Sequence, residues 1–306
     1  MVLREARKRQ TLVLMLLFVC YGLLAGGVFL LKPAGLDAGD DAGEAWIQDE
    51  ESAEESSETE VEVMDAIDFQ PVVDTWAGTA SGNKSVVIYD LDRDEVSASY
   101  NANENYNTTS LYKLFVVYEG YRRVYDGRWD GASMVGSTGA SVMDCLDYAI
   151  RRSDSSCAEG LWAMIGHTEL DTIIQNDYGI LNSRVSNLTS NAYDVAMMMR
   201  RFYTHPDFNE AEFLPRLKDS FLNQPTIGND NWRAGLPSGF SRATVYDKVG
   251  WDYNPDGGYW NIYHDASIIE VPELNRHFVV VVMTNRVSNQ SIAKLGADIE
   301  GLIYGR

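Results

Sequence analysis

The chain of 306 residues has few of the residues that build metal sites and disulfide frameworks. It contains three cysteines and four histidines, and none of them has the spacing of a zinc site. We therefore expect no metal and no cofactor. Cys20 lies in an apolar segment. Cys145 and Cys157 are twelve residues apart, and they form either a disulfide or two buried thiols.

Positive charge is also scarce. The 25 basic residues are outnumbered by 45 acidic ones, and the net charge of −20 argues against nucleic acid as a partner. Residues 37–68 contain 14 acidic residues and no basic one. Such a segment cannot bury enough apolar surface to offset the entropy lost on ordering. We predict that residues 32–68 form an acidic disordered linker.

Near the N-terminus, charge is absent from residues 11–31. As a helix these residues would span roughly 30 Å, enough for a bilayer. Residues 1–10 are basic, which predicts a cytoplasmic tail, a transmembrane helix over 11–31 and an extracytoplasmic remainder at the cell membrane. A cleaved signal peptide is the alternative, although its apolar core is usually only about 7–15 residues. A lipoprotein site at Cys20 is disfavoured by the bulky Val19 before it.

The remaining residues, 69–306, have a globular composition. The segment "FQPVVDTWAG" has helical periodicity, and "KSVVIYDLDRDEVSASYN" is typical of a two-stranded hairpin. A helical block over 140–226, three further strands and a last helix follow. This order predicts an α+β fold in which a five-stranded antiparallel sheet is flanked by helices and carries an all-helical insertion. The run "HFVVVVMT" lacks alternation and should lie in the middle of the sheet.

The pattern Ser-x-x-Lys occurs three times, at Ser81 with Lys84, Ser110 with Lys113, and Ser291 with Lys294. A solvated lysine explains most such matches, and we expect it for the first and third. Lys113, however, precedes "LFVVY", which is apolar on nearly every helical face, so Lys113 should be buried. Helical spacing brings Ser110 and Lys113 to one face. A desolvated lysine can be a neutral base that activates a serine.

Two further motifs follow at joints between predicted elements. Ser153, Asp154 and Ser155 lie at a break between two helices, where an ordinary N-cap is the simplest explanation. Lys248, Val249 and Gly250 lie within a strand pattern. An outward lysine there is unremarkable, but glycine in a strand allows a ligand to approach the backbone closely.

Taken in chain order, the three motifs resemble those of the serine β-lactamase and penicillin-binding family, and the likeness is closest to class A β-lactamases. It covers about residues 69–306. The resemblance implies that Ser110 is the acylated nucleophile and Lys113 its proton acceptor. It implies that Ser153 relays a proton to the leaving nitrogen. Lys248 would hold that hydroxyl and the carboxylate of the substrate.

The resemblance also implies a substrate-binding set that consists of Ser155, Val249, Gly250 and Trp251. The backbone N–H groups of Ser110 and Trp251 would form the oxyanion hole. Two positions depart from the family pattern, because Ser155 replaces an asparagine and Val249 replaces a threonine. Each lost neutral hydrogen bond is worth about 0.5–1.5 kcal/mol.

A third departure concerns deacylation. Class A enzymes carry Glu-x-x-Leu-Asn, whereas the nearest segment here is "YGILN", with Tyr178 in place of the glutamate. Glu159 is an alternative base, but it is expected to face elsewhere on its helix. The resemblance therefore implies a monomeric serine hydrolase for β-lactams. The alternatives are a D-Ala-D-Ala peptidase with slow deacylation, and a degenerate sensor of β-lactams or peptidoglycan stem peptides.

Overall fold

The structure, a computed structural model, describes residues 65–205, 214–222, 224, 226–227, 230–252 and 262–305. The predicted tail, the predicted transmembrane helix and nearly all of the predicted linker lie outside these residues. Within the described part of the chain, no helix is both long and apolar enough to cross a membrane.

The domain begins with a helix and a hairpin, as predicted. Helix α1, Gln70–Thr79, has a proline in its first turn, where the missing N–H costs nothing. Strands β1, Asn83–Asp90, and β2, Glu95–Tyr100, pair antiparallel. Their connecting turn places Asp94 at a φ of 55°.

The central sheet also contains strands β7, Thr244–Asp252, β8, Ile262–Val271, and β9, Arg276–Asn285. Among the described residues, its five antiparallel strands lie in the order β2-β1-β9-β8-β7. Strand β9 is the middle strand, and it is buried on both faces. This confirms the α+β fold and the placement of the "HFVVVVMT" run.

Helices and short elements complete the domain. Among the residues that the structure describes between β2 and β7, there is a short pair of strands, β3 (Tyr106–Asn107) and β4 (Thr189–Ser190). The same described residues contain six helices, a second short pair of strands and a one-turn helix. The six helices are α2 (Tyr112–Tyr125), α3 (Val142–Arg151), α4 (Ser155–Ile165), α5 (His167–Asn176), α6 (Ala192–Thr204) and α7 (Leu214–Leu222). The second pair is β5 (Thr226–Ile227) with β6 (Asp230–Asn231), followed by α8 (Leu236–Gly239). Helix α9 spans Asn289–Ile303, and 3₁₀ turns span Thr109–Leu111, Val185–Asn187 and Pro272–Leu274.

The sheet separates two apolar cores. Side chains alternate along β9, so Val279 and Val281 join the core beneath the helical block, while Val280 and Val282 join the core beneath α1 and α9. Helix α2 runs through the first core, and its segment 114–117 has no exposed surface. The prediction that this helix is buried on all sides is confirmed, and this burial fixes the side chains at its N-terminal end.

A disulfide joins Cys145 on α3 to Cys157 on α4. Both cysteines are buried. Of the two alternatives for these residues, the structure shows the disulfide. Because the bond links the helices on either side of residues 152–154, it restrains the loop that carries Ser153.

The other two Ser-x-x-Lys pairs differ from each other. Lys294 is exposed and pairs with Asp298 one turn later, as expected for a solvated lysine. The expectation for Lys84 was wrong, since this residue is only 9% exposed. Its Nζ donates to the carbonyls of Ala77 and Ala80 at the C-terminal end of α1, where unpaired carbonyls attract a cation.

Candidate active site

Ser110 lies in a turn between β3 and α2, which we call the nucleophile turn, residues 107–111. The sequence predicted helical spacing between Ser110 and Lys113. In the structure Ser110 lies in a 3₁₀ turn over Thr109–Leu111, and the α-helix begins at Tyr112. The Asn107 side chain accepts a hydrogen bond from the backbone N–H of Thr109 at 2.8 Å. Thr109 has a φ of 45°, a conformation that costs a non-glycine residue about 1–3 kcal/mol. The chain therefore holds a strained backbone immediately before Ser110.

Gly250 explains how β7 comes so close to this turn. A Cβ atom at Gly250 would lie 2.5 Å from Thr109 Oγ1 and 2.9 Å from Leu111 Cγ. Both distances are below van der Waals contact, so any side chain would displace the nucleophile turn. The close approach that a strand glycine predicts is thus made by the nucleophile turn itself, whose Thr108 carbonyl oxygen would also lie 2.9 Å from that Cβ.

Lys113 is the centre of the site. It is 1% exposed, and its Nζ lies 3.0 Å from Ser110 Oγ. The same atom lies 3.2 Å from the hydroxyls of Ser153 and Ser155, and 2.8 Å from the Ser153 carbonyl oxygen. Burial lowers the pKa of Lys113 to about 8, although the charges of Asp154 and Glu159 act in the opposite direction. A neutral amine is therefore accessible near physiological pH and can take the proton of Ser110.

Lys248 completes a chain of hydrogen-bonding groups. It is fully buried on β7, and its Nζ donates to Ser153 Oγ at 3.1 Å and to the Val249 carbonyl at 2.7 Å. Burial lowers the pKa of Lys248, and the nearby Lys113 lowers it further. The Ser153 hydroxyl thus lies between two amines, where it can pass a proton from one to a bound substrate.

The loop of the second motif serves two purposes. Asp154 is the N-cap of α4, because its side chain accepts from the Cys157 N–H at 3.0 Å. The simple capping explanation therefore holds for Asp154. Ser153, with a φ of 54°, and Ser155 on the first turn of α4 both point their hydroxyls toward Lys113.

Two buried acids beside Lys248 were not predicted from the sequence. Asp247 pairs with Arg233. Asp265 accepts from the Leu236 N–H at 2.8 Å and from the Ser267 hydroxyl at 2.9 Å. Burial raises the pKa of both carboxyls, and both sense the charge of Lys248. No motif identifies them, because only the pairing of β7 with β8 brings them together. Among the described residues, no three acidic, histidine or cysteine side chains are grouped to hold a metal ion.

The hydroxyls of Ser110 and Ser153 open into a pocket of about 370 Å³. Its other lining residues are Trp232, Val249, Trp251, Asp252 and Tyr263. The rings of Trp251 and Tyr263 meet edge to face at 5.4 Å and form an apolar wall. Ser155 and Gly250 are not among the lining residues, because one contacts Lys113 and the other packs on the nucleophile turn.

Neither candidate for the deacylating base lines this pocket. The Tyr178 hydroxyl donates to Glu119 within the core at 2.6 Å. Glu159 accepts from the Tyr112 hydroxyl at 2.8 Å and borders a separate cavity of about 720 Å³ that includes Asp144 and Asp154. The prediction that Glu159 faces away from the nucleophile agrees with this arrangement.

The fold and these contacts are those of a serine hydrolase, with Lys113 beside the candidate nucleophile Ser110. The family model of the β-lactamase enzyme family matches residues 69–305. The chain therefore belongs to the β-lactamase enzyme family, and it is a serine hydrolase of that family. A search of curated proteins found no match.

Solved structures share the fold at low sequence identity. An ancestral class A β-lactamase is 17% identical with a TM-score of 0.63, over 78% of this chain and 99% of that one. A β-lactamase from Xanthomonas campestris is 15% identical with a TM-score of 0.64, over 76% and 97%. A β-lactamase from a halotolerant bacterium is 22% identical with a TM-score of 0.59, over 76% and 98%. The likeness extends over nearly the whole length of each of these proteins.

Proposed function

We propose that the protein reacts with β-lactams through an acyl-enzyme on Ser110 and that the acyl group leaves slowly. One observation carries the proposal: Lys113 Nζ lies within hydrogen-bond distance of the hydroxyls of Ser110 and Ser153, and Lys248 lies on the other side of Ser153. A nucleophile, a desolvated base and a proton relay therefore share one pocket.

Acylation follows from this arrangement. Neutral Lys113 removes the proton of the Ser110 hydroxyl, and Ser110 Oγ attacks the lactam carbonyl carbon. The N–H groups of Ser110 and Trp251 stabilise the oxyanion. The carbon–nitrogen bond then breaks, and the leaving nitrogen takes the proton of the Ser153 hydroxyl. Protonated Lys113 returns a proton to Ser153, so the site ends neutral with one acyl ester on Ser110.

The second candidate function is a D-Ala-D-Ala peptidase or a sensor of β-lactams and peptidoglycan stem peptides. It is favoured by the contacts of the two residues considered as the deacylating base, because Tyr178 is bound to Glu119 and Glu159 to Tyr112. An acyl-enzyme without a base that activates water is long-lived, and a long-lived adduct suits a slow peptidase or a sensor better than a β-lactamase.

The location of the protein is a separate part of the proposal. Residues 11–31 would anchor a monomer in the cell membrane, with the hydrolase domain outside. Support comes from the uncharged 21-residue segment and the basic residues before it. Sequencing the mature N-terminus and fractionating cells test this, and a mature chain that starts between residues 25 and 32 would contradict it.

The function is tested by intact mass spectrometry of the full chain after incubation with benzylpenicillin. We expect a mass increase of one penicillin per chain, mapped to Ser110 by peptide analysis. The increase should be absent in Ser110→Ala. A wild-type protein that shows no adduct and releases no hydrolysed penicillin would refute the proposal. Rapid release without a detectable adduct would favour an efficient β-lactamase.

A further inference from the structure

His264 lies on β8, directly opposite Gly250 of β7, and has no exposed surface. Both of its ring nitrogens have backbone partners. Nδ1 lies 2.9 Å from the N–H of Thr284 on β9, and Nε2 lies 2.8 Å from the carbonyl oxygen of Asn107. His264 therefore bridges the middle strand of the sheet and the first residue of the nucleophile turn.

These partners determine which nitrogen of the His264 ring carries the hydrogen. A backbone N–H can only donate, so Nδ1 accepts from Thr284 and carries no hydrogen. Nε2 must then carry the hydrogen and donate it to the Asn107 carbonyl. Burial lowers the pKa of His264 to about 4, so the ring stays neutral at physiological pH. A charged ring would lose the acceptor that Thr284 requires.

The bridged turn contains the strained backbone. Asn107 receives the hydrogen bond of His264 on its carbonyl, while its side chain holds the Thr109 N–H. On the other side Gly250 leaves just enough room for Thr109. A φ of 45° at Thr109 persists only where surrounding contacts over-determine it. These contacts supply that restraint. His264 on β8 holds Asn107, three residues before Ser110, and Gly250 on β7 packs on Thr109, one residue before it.

We infer that His264 is a positioning residue, which holds the nucleophile turn so that Ser110 Oγ stays in reach of Lys113 and of a carbonyl in the pocket. The inference rests on the proposed role of Ser110. Ring packing alone does not explain the residue, because the edge-to-face contact with Tyr106 at 5.9 Å is equally available to phenylalanine. Only the two hydrogen bonds require an imidazole. Without it the Asn107 carbonyl loses its donor and the N–H of the fully buried Thr284 loses its acceptor, and a buried N–H without an acceptor is costly.

The test compares His264→Phe, which keeps a ring and removes both hydrogen bonds, with His264→Gln, whose amide can still donate to Asn107. The control is Ile268→Ala, a fully buried residue four positions along the same strand, about 13 Å away. For each full-length variant we would measure hydrogen exchange of the peptide that contains Thr109. The dissociation constant for penicillin and the acylation rate constant would be measured separately on the folded fraction.

We expect His264→Phe to exchange the Thr109 amide at least tenfold faster and to acylate about 10²-fold more slowly, the usual scale for a nucleophile displaced by about 1 Å. The dissociation constant should change less than twofold. His264→Gln should recover at least tenfold in rate. Ile268→Ala should lower stability but leave the acylation rate of the folded protein unchanged.

An unchanged exchange rate in His264→Phe, or an unchanged acylation rate per folded molecule, would overturn the inference. A loss of rate in Ile268→Ala equal to that in His264→Phe would also overturn it. If penicillin fails to acylate the wild type, the proposed function fails instead. The exchange measurement and Ser110 labelling by a fluorophosphonate, a general serine-hydrolase probe, would then decide the role of His264.

Discussion

The hydroxyl of Tyr178 donates a hydrogen bond to the carboxylate of Glu119 at 2.6 Å, inside the core. Glu119 has no exposed surface, and Arg122 and Arg123 also bind it. Burial alone would raise the pKa of Glu119, but hydrogen bonds from Arg122, Tyr178 and Arg123 lower it, while burial raises the pKa of Tyr178. Tyr178, which the resemblance places in the position of the deacylating glutamate, is thus a structural partner and cannot act as a base near neutral pH.

Turnover should therefore be biphasic. We expect a chromogenic cephalosporin to be consumed in a burst of one equivalent per protein, followed by steady turnover at least about 10²-fold slower. The estimate is the lower end of what a general base contributes, roughly 10²–10⁴-fold. Stopped-flow absorbance measures both phases.

Glu159→Gln provides the control for that experiment. Because the Glu159 carboxylate binds Tyr112 and borders the second cavity, removing its charge should change the decay of the isolated acyl-enzyme less than twofold. Fast linear turnover in the wild type that disappears in Glu159→Gln would show that Glu159 is the base, and the protein would then be a competent β-lactamase.

A fluorescent penicillin should label Ser110 and no other serine of the three Ser-x-x-Lys pairs. Lys84 is committed to the carbonyls of α1 and Lys294 to Asp298, so neither can activate its serine. Ser110→Ala should abolish the label seen on denaturing gels, and Ser81→Ala and Ser291→Ala should retain it. Full labelling of Ser110→Ala would refute this assignment.

The acylation rate should rise with pH through the pKa of Lys113. Burial lowers that pKa to about 8, and only the neutral amine accepts the Ser110 proton, so the rate increases from pH 7 to pH 9 with a midpoint near 8. Glu159 raises the pKa of Lys113 through its charge. Glu159→Gln should therefore move the midpoint to lower pH, while Asp298→Asn, distant on α9, should not. A rate that falls across this range would contradict a lysine base.

Removal of the disulfide should destabilise the domain. The bond between Cys145 and Cys157 closes a loop with a separation of 12 residues, and such crosslinks are worth about 2–4 kcal/mol. We expect Cys145→Ser with Cys157→Ser to lower Tm by several degrees, at about 2–4 °C per kcal/mol for a domain of this size. Calorimetry measures this. An unchanged Tm in the double variant would mean that helix packing alone fixes the Ser153 loop.

Lysine burial shows where sequence reasoning succeeds and where it fails. Lys113 lies in an unbroken apolar helix, so its burial was readable from the local pattern. Lys84 begins a strand after a turn, and its local pattern resembles that of a solvated lysine. It is buried because α1 ends beside it, and only the tertiary structure shows this.

His264, Asp247 and Asp265 were missed for the same reason. A single histidine or aspartate in a strand carries no spacing signal. Its partners come from a neighbouring strand, from the nucleophile turn and from residues 233–236 before β7. For Gly250 the sequence predicted the close approach of a ligand, whereas the structure places Thr109 next to it. The order of the elements could be predicted because periodicity is local, but contacts between strands could not.

Restoring the two departures from the family pattern should improve the reaction with β-lactams. Ser155 is exposed and its hydroxyl contacts Lys113, so the longer amide of Ser155→Asn has room to reach an acyl side chain and can still accept from Lys113. Val249 lines the pocket, and Val249→Thr adds a hydroxyl for the substrate carboxylate with almost no change in volume. One neutral hydrogen bond, such as one to an acyl amide, is worth about 0.5–1.5 kcal/mol, and one to a charged carboxylate about 1.5–3 kcal/mol. These energies correspond to about 2–10-fold and about 10–100-fold in rate.

We therefore expect Ser155→Asn to raise the second-order acylation constant for benzylpenicillin about 2–10-fold, and Val249→Thr to raise it about 10–100-fold. The double variant should show the product of the two effects, because the two groups contact different parts of the substrate. Stopped-flow acylation measures these constants, and Ser155→Ala and Val249→Ile serve as matched controls that add no hydrogen-bonding group. If neither restoration raises the constant, while both variants remain folded and are still labelled at Ser110, the pocket is not built around a β-lactam carboxylate. The apolar wall of Trp251 and Tyr263 would then define the preferred acyl donor.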